Sequence, residues 1–407
     1  MSKNSSVCLY FLFTLIRSSL YIQKSLLYSM KCLRKHRENF RSQRLSILWL
    51  IGIVFSLILP SLNQYDAKTF ILNNSPNPSQ FSAIGRGAIQ ISDQEGVFWF
   101  IHITDTQSMW RSKERTEMFV NFLNMSEQYI TPAFYLHTGD IVDSDYQNFF
   151  GPNRGQLAFE WNNYSESLQT ANMTSDIYFD VMGNHDTYAD PGYTWFQNSS
   201  MQKVPYYDFV KQYSFGKYHF IGLHTPENLG AKYPFSLFGY LSKSELDWYE
   251  TRLQSVRDAR VTVAFGHHPA YEMFQGGIRF NQLNRKYGVD LYLVGHGHMD
   301  TYEDLESGTV SYMTPKLSNR EKSYRIVAIQ GNIISESIQT YNQWPIGVIC
   351  SPVDHKNVYS DFNIEKLQSP SKIRALAFDN ESISKVEWRS LDASEEWKPM
   401  TNSYGPL

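Results

Sequence analysis

Five short segments of the sequence bring together residue types that can hold divalent metal ions. Each places polar side chains after a run of apolar residues: "FIHITDTQSMW" (100–110), "HTGDIVD" (137–143), "MGNHDTY" (182–188), "FGHHPAY" (265–271) and "VGHGHMD" (294–300). The candidate ligands in them are Asp105, Gln107, Asp140, Asn184, His267, His296 and His298. Carboxylate and amide oxygens mixed with imidazole nitrogens suit Mn²⁺, iron or Zn²⁺. The sequence therefore predicts a metal site assembled from separate segments.

The chemistry that such a site can perform is hydrolysis of a phosphoester. Gly139 lets the backbone bend close to a metal at Asp140, and one carboxylate can bridge two cations. Two cations about 4 Å apart can stabilise the attacking and leaving oxygens of an in-line displacement. His185, beside Asn184, would then supply the proton for the leaving group, and Asp186 would orient the imidazole.

The elements that must position these residues are predicted to be buried strands alternating with helices. Apolar, β-branched and aromatic runs precede the polar segments, as expected for strands buried on both faces. Stretches of helical length lie at 112–129 and 242–256, and Ser242 with Glu245 resembles a capping box at the start of the second. This alternation predicts an α/β domain with much parallel sheet, in which ligands bind outside the carboxyl ends of the strands. We therefore expect the polar segments to converge on one edge.

Other polar residues near these segments have plainer interpretations. His102 and His137 lie within predicted strands and are interpreted as structural, and Asp143 is interpreted as a solvated loop carboxylate. The three cysteines are too few and too scattered for a disulfide framework or a thiolate metal site.

The segments "GDIVDSD", "GNHD", "GHHP" and "GHGH", in that order and at predicted strand ends, resemble the calcineurin-like metallophosphoesterase superfamily. The segment "YSFGKYHFIGLHT" (213–225) is similar to a hairpin of that superfamily. More narrowly, "YPFSLFGYLSKSELDWYE", "YRIVAI…WPIGVICSP" and "KIRALAF" resemble the transmembrane protein 62 family. The resemblance covers about residues 85 to 407.

This resemblance implies a four-layer αββα sandwich that binds two divalent cations of Mn, Fe or Zn and acts on a phosphoester. It implies that the first cation is held by Asp105, Asp140 and His298. It implies that the second is held by the bridging Asp140 with Asn184, His267 and His296. His185 would be the catalytic acid, and the start of an all-β (Ig-like) domain would follow.

The first motif departs from the family pattern, because it reads D-x-Q where the superfamily usually has D-x-H. Gln107 offers a cation either a neutral amide oxygen or an amide nitrogen that cannot bind it. We therefore expect weaker binding or a changed metal preference at the first site. Two alternatives to a working hydrolase stay open: a membrane-tethered binding protein that keeps the fold with weakened catalysis, and a metal-independent lumenal scaffold.

The amino terminus predicts attachment to a membrane. Residues 30–44 carry six lysines and arginines against one glutamate, and residues 45–62 follow without a charge. A run of this length is at the lower limit for spanning a bilayer, and its basic flank should stay cytoplasmic. The catalytic domain is therefore expected on the lumenal or extracellular side, and six N-x-S/T sequons after residue 62 predict a glycoprotein.

These observations divide the 407 residues into five predicted parts. They are a basic cytoplasmic tail (1–44), a transmembrane signal anchor (45–62), a linker (63–95), a metallophosphoesterase domain (96–350) and an incomplete Ig-like β domain (351–407). The last part is called incomplete because it is short for a β-sandwich. The net charge of −3 gives no sign of nucleic-acid binding.

Overall fold

The computed structural model describes residues 86–401, apart from 92–94, 145–154, 228–234, 319, 321, 355–372 and 390–395. The predicted basic tail (1–44), the predicted span (45–62) and most of the predicted linker lie outside the described residues. Among the residues that are described, no helix is both long and apolar enough to cross a bilayer.

Two six-stranded sheets form the centre of the structure, with strands numbered in chain order. The first sheet contains β1 (Ala88–Gln90), β2 (Gly96–Ile103), β3 (Tyr135–Thr138), β4 (Tyr178–Val181), β13 (Ser323–Gln330) and β14 (Ile333–Thr340). Its order is β14-β13-β2-β3-β4, with β1 paired to β2. Strands β2, β3 and β4 run parallel, whereas β13 is antiparallel to both of its neighbours.

The second sheet contains β5 (Tyr207–Tyr213), β6 (Gly216–Gly222), β8 (Val261–Phe265), β10 (Leu291–Val294), β11 (Thr301–Asp304) and β12 (Val310–Met313). Its order is β11-β12-β10-β8-β6-β5. Strands β6, β8, β10 and β12 are parallel, and the antiparallel strands β5 and β11 form the two edges. Both sheets therefore have the parallel centre that the alternation of elements predicted.

Among the described residues, five α-helices accompany the sheets: α1 (Lys113–Met125), α2 (Ala158–Thr170), α3 (Thr194–Ser199), α4 (Lys243–Ser255) and α5 (Gly277–Tyr287). The predicted helices at 112–129 and 242–256 are confirmed as α1 and α4. Ser242 caps α4, because its hydroxyl accepts the backbone N–H of Glu245 at 3.1 Å. The carboxylate of Glu245 accepts the backbone N–H of His224 at 2.8 Å, so this side chain is buried beneath the helix.

The two sheets face each other across an aromatic core, and helices cover their outer faces. Phe100 of β2 contacts Phe220 of β6 with ring centroids 5.6 Å apart. Helices α1, α2 and α3 pack on the outer face of the first sheet, and α4 and α5 pack on the second. Every residue of β2 is buried, because its alternating side chains enter the core between the sheets and the core under the helices. The layers are helix, sheet, sheet and helix, the order that the family resemblance implied.

Three small two-stranded sheets complete the described structure. They pair β7 (Gly239–Tyr240) with β9 (Met273–Gln275), β15 (Ile346–Ser351) with β16 (Arg374–Phe378), and β17 (Glu387–Trp388) with β18 (Lys398–Pro399). Phe378 of β16 packs against Trp99 of the first sheet, with ring centroids 5.7 Å apart. These strands confirm β structure after residue 351, but its identity as an Ig-like domain stays a prediction.

Candidate metal centre

The predicted ligands lie just beyond the carboxyl ends of neighbouring strands. In the chain, the ligands follow β2, β3 and β4 of the first sheet and β8 and β10 of the second. They are Asp105, Gln107, Asp140, Asn184, His267, His296 and His298. These five strands are parallel to their neighbours among the five, β2 to β3 to β4 and β8 to β10, so within each sheet their carboxyl ends share one edge. The two edges meet, because His267 of the second sheet contacts Thr138 and Asn184 of the first. The structure therefore brings the five segments together.

Four of these residues have backbone conformations that are unusual for side chains other than glycine. Asp105, Asp140, His296 and His298 have φ angles of 56°, 50°, 67° and 59°. A left-handed conformation of this kind costs on the order of 1–3 kcal/mol per residue, and such strain clusters at functional sites. At Gly183, an added Cβ would collide with the backbone nitrogen and the carboxylate of Asp140. The backbone is therefore shaped around these side chains.

One group of donor atoms converges around Nε2 of His267. This nitrogen lies 3.1 Å from Oδ1 of Asn184, 3.1 Å from Nδ1 of His296 and 3.2 Å from Oδ1 of Asp140. Nδ1 of the same ring lies 2.7 Å from the carbonyl oxygen of Thr138, which accepts its hydrogen. Nε2 therefore faces acceptor atoms that only a proton or a metal cation can satisfy together. This donor set fits a divalent cation bound by oxygen and imidazole nitrogen.

The pKa of His267 reports the same attraction for positive charge. Burial lowers the pKa, but the charge of Asp140 and a hydrogen bond to that carboxylate outweigh burial and raise the pKa to about 9. A metal cation bound at Nε2 would take the place of this proton, since an imidazole ligand must be deprotonated.

A second group of donor atoms shares Asp140 with the first. Ligand atoms of Asp105, Asp140 and His298 all lie within 4.8 Å of one another. Oδ1 of Asp105 lies 2.9 Å from Nε2 of His298. Oδ2 of Asp105 accepts the hydroxyl of Thr104 at 2.7 Å and the backbone N–H of His296 at 3.2 Å, which fixes the carboxylate. Two donor groups joined by one carboxylate are the arrangement that a bridged pair of cations requires.

Gln107 is held beside this second group. Its backbone N–H donates to the carbonyl oxygen of Asp140 at 3.1 Å, and its Nε2 donates to Oδ2 of Asp140 at 3.4 Å. The side chain is buried, and its Oε1 has no hydrogen-bond partner among the described residues. A buried amide oxygen without a donor is rare, and a cation bound by Asp105 and Asp140 would satisfy it. The fit supports Gln107 as a ligand, a role that stays a prediction.

His185 presents one imidazole nitrogen to the centre. Its Nδ1 lies 2.8 Å from the carbonyl oxygen of Asp143, and its Nε2 lies 3.8 Å from Oδ2 of Asp140. Burial lowers the pKa of His185, and the charge of Asp140 opposes that shift. Nε2 is therefore the atom that would deliver a proton to a leaving group. The catalytic role itself stays a prediction.

Asp186 makes contacts other than the one proposed from the sequence. Its carboxylate accepts backbone N–H groups of Ile141 at 3.1 Å, Val142 at 2.9 Å and Gly183 at 2.7 Å. Burial and the nearby Asp140 raise its pKa to about 8. These bonds tie the loop after β3 to the loop after β4. The ring of His185 is oriented through the carbonyl of Asp143 instead, so a direct role for Asp186 on that ring has no support in its described contacts.

Residues 98–300, about half of the chain, match the family model for calcineurin-like phosphoesterase. The chain belongs to the calcineurin-like phosphoesterase family. Its curated relatives include transmembrane protein 62 of Mus musculus, which is 25% identical over 322 residues, 72% of this chain and 47% of the relative. The chain therefore spans about half the length of that relative.

Solved structures of similar proteins include a dimetal phosphatase from Danio rerio and a 5'-nucleotidase from Candida albicans. The first is 13% identical with a TM-score of 0.43, covering 60% of this chain and 99% of that one. The second is 12% identical with a TM-score of 0.39, covering 60% of this chain and 51% of that one.

Two acidic residues lie against the centre although the sequence analysis did not assign them to it. Asp143, interpreted from the sequence as solvated, forms an ion pair with Arg111, and its Oδ1 lies 3.7 Å from Nδ1 of His185. Glu272 lies with Oε2 3.5 Å from Nε2 of His296. Burial raises the pKa of Glu272 to about 7, and the charge of His267 opposes this shift. The segment "GDIVD" already placed Asp143 near Asp140, whereas no signal in the sequence marks Glu272.

His102 and His137 are confirmed as structural residues. His102 is fully buried, with Nε2 2.8 Å from the hydroxyl of Thr138 and Nδ1 2.7 Å from the hydroxyl of Thr314. His137 is also fully buried, and its Nδ1 lies 3.0 Å from the hydroxyl of Tyr178. Both rings support the strands beneath the centre.

Proposed function

We propose that this chain hydrolyses a phosphoester at a centre of two divalent cations. One observation carries the proposal: two converging groups of donor atoms share the carboxylate of Asp140. The residues that would hold the cations are Asp105, Gln107, Asp140, Asn184, His267, His296 and His298. The chemistry that such a pair supplies is polarisation of the phosphoester oxygens and activation of water.

The residues of the chain supply orientation and proton transfer. The carbonyl of Asp143 accepts the Nδ1 hydrogen of His185, so the protonated ring would carry its second hydrogen on Nε2 and could pass it to the leaving-group oxygen. The backbone N–H of His185 donates to Oδ1 of Asp140 at 3.0 Å, which ties the proton donor to the bridging carboxylate. Asp186 bonds to the loop after β3 and to the loop after β4, and so supports the position of His185 beside Asp140.

The proposal is tested by hydrolysis of p-nitrophenyl phosphate and bis(p-nitrophenyl) phosphate with added Mn²⁺. We expect the wild-type chain to hydrolyse at least one of them, and His185→Ala to be slower by about 10²–10⁴-fold, as expected for loss of a general acid. Metal content measured in both proteins is the control. A wild-type chain that holds its cations and works no faster than His185→Ala would contradict the proposal and favour a binding protein with weakened catalysis.

We also propose that residues 45–62 anchor the chain in a membrane with the phosphoesterase domain on the lumenal or extracellular side. The uncharged run and its basic flank support this topology, and the mouse relative is named transmembrane protein 62. In microsomes we expect the domain to resist added protease and to carry N-linked glycan at sequons such as Asn124 and Asn163. A domain digested in intact microsomes would contradict this topology.

A further inference from the structure

Glu272 places a carboxylate oxygen behind one of the proposed metal ligands. It ends the short helical turn Ala270–Glu272, which follows the His267 segment after β8. Its Oε2 is buried, lies 3.5 Å from Nε2 of His296, and has no hydrogen-bond partner among the described residues. A buried carboxylate oxygen is costly unless a hydrogen-bond donor faces it, so this contact favours the form of His296 that carries its hydrogen on Nε2.

The other nitrogen of the same ring faces the centre. Nδ1 of His296 lies 3.0 Å from Oδ1 of Asn184 and 3.1 Å from Nε2 of His267. A neutral imidazole carries one hydrogen, and a hydrogen on Nε2 leaves the lone pair of Nδ1 free for a cation. In that tautomer His296 can bind metal through Nδ1.

The two histidines of this group differ in what supports their outer nitrogens. His267 donates from Nδ1 to the neutral backbone carbonyl of Thr138 at 2.7 Å. His296 faces a side chain that can carry a full negative charge. The proposed ligand set itself contains only the carboxylates of Asp105 and Asp140. A further carboxylate behind His296 would raise the basicity of that ligand and offset the charge of the cations.

We propose that Glu272 is a positioning residue for the second cation, acting through His296 to fix its tautomer and to strengthen divalent-cation binding. The inference rests on the proposed two-cation centre. It goes beyond that centre because Glu272 is not one of the proposed ligands. It also predicts an effect confined to one of the two cations.

The test is titration of the purified 407-residue chain with Mn²⁺, with binding measured by calorimetry and by the electron paramagnetic resonance of free Mn²⁺. We expect Glu272→Gln, which keeps the shape of the side chain but not its charge, to lower the affinity for the second cation about ten-fold. We expect Glu272→Leu, which removes the acceptor as well, to approach a hundred-fold. Glu166→Gln, an exposed change on α2, is the matched control and should leave both affinities unchanged.

Two background variants assign the effect to one cation. In His298→Ala, which keeps the group around His267, Glu272→Gln should still weaken binding. In His267→Ala, which keeps the group around Asp105, it should change nothing. Equal losses in both backgrounds would mean a general structural role and would overturn the inference. Two cations bound with the same affinities in wild type and Glu272→Gln would overturn it alone, whereas a wild-type chain that binds no cation would overturn the proposed function as well.

Discussion

At the scale of single residues, Gln107 decides how the first cation would be held. The family resemblance leads to the expectation of an imidazole at this position, and the structure instead places a buried amide whose Oε1 has no described donor. Its Nε2 already donates to Asp140, so the amide oxygen is the atom left for a cation. A neutral oxygen binds transition-metal ions less strongly than imidazole does. We therefore predict a first site that is weakened rather than lost.

Gln107→His should raise the affinity for the first cation, and Gln107→Leu should lower it, each by about ten-fold or about 1.4 kcal/mol. Histidine restores an imidazole donor, whereas leucine fills similar space without any donor atom. Mn²⁺ titration of the three proteins measures both changes. Equal affinities in the wild type and Gln107→Leu would show that Gln107 is not a ligand.

At the scale of elements, the sequence predicts which loops carry the candidate ligands better than it predicts the contacts that support those ligands. The five apolar runs predicted which strand ends carry polar residues, and the structure brings those ends together. The contacts of Asp143 and Glu272 were not predictable, because they depend on how loops from different strands fold over the centre. The cap of α4 shows the same limit. Ser242 caps the helix as predicted, while the burial of Glu245 follows from tertiary packing that no local pattern encodes.

Glu245 makes the stability of the fold depend on pH. Burial raises its pKa well above the usual value, and the hydrogen bond from the backbone of His224 only partly opposes this. The unfolded chain therefore releases this proton first, near pH 4. Stability contributed by the protonated carboxyl is complete below that pH and is lost as pH rises towards the folded-state pKa.

Glu245→Gln removes this ionisation while keeping an acceptor for the N–H of His224. As pH rises from about 4, we expect the free energy of unfolding of the wild type to fall relative to that of the variant. Urea denaturation across the pH range measures the difference, with Glu166→Gln as the exposed control. Stability curves that stay parallel for wild type and Glu245→Gln would contradict the account of this buried carboxyl.

At the scale of the whole molecule, two sheets meet along the edge where their parallel strands end. The alternation of strands and helices predicted α/β class, and the four-layer order came from the family resemblance. Strand order was beyond the reach of the pattern, because buried runs look alike whichever neighbour they pair with. Thus β13 lies more than 200 residues after β2 in the chain, yet it pairs with β2 on one side and with β14 on the other. Both sheets are needed for the centre, since Asp140 comes from one and His267 from the other.

The number of cations bound per chain tests this account most directly. Equilibrium dialysis against saturating Mn²⁺, with metal analysis of the protein, should give two ions for wild type, one for His267→Ala and none for Asp140→Ala, because only Asp140 belongs to both donor groups. Circular dichroism of each variant checks that it is folded. A wild-type chain that binds no Mn²⁺, or a folded Asp140→Ala that still binds two ions, would contradict the shared two-cation centre.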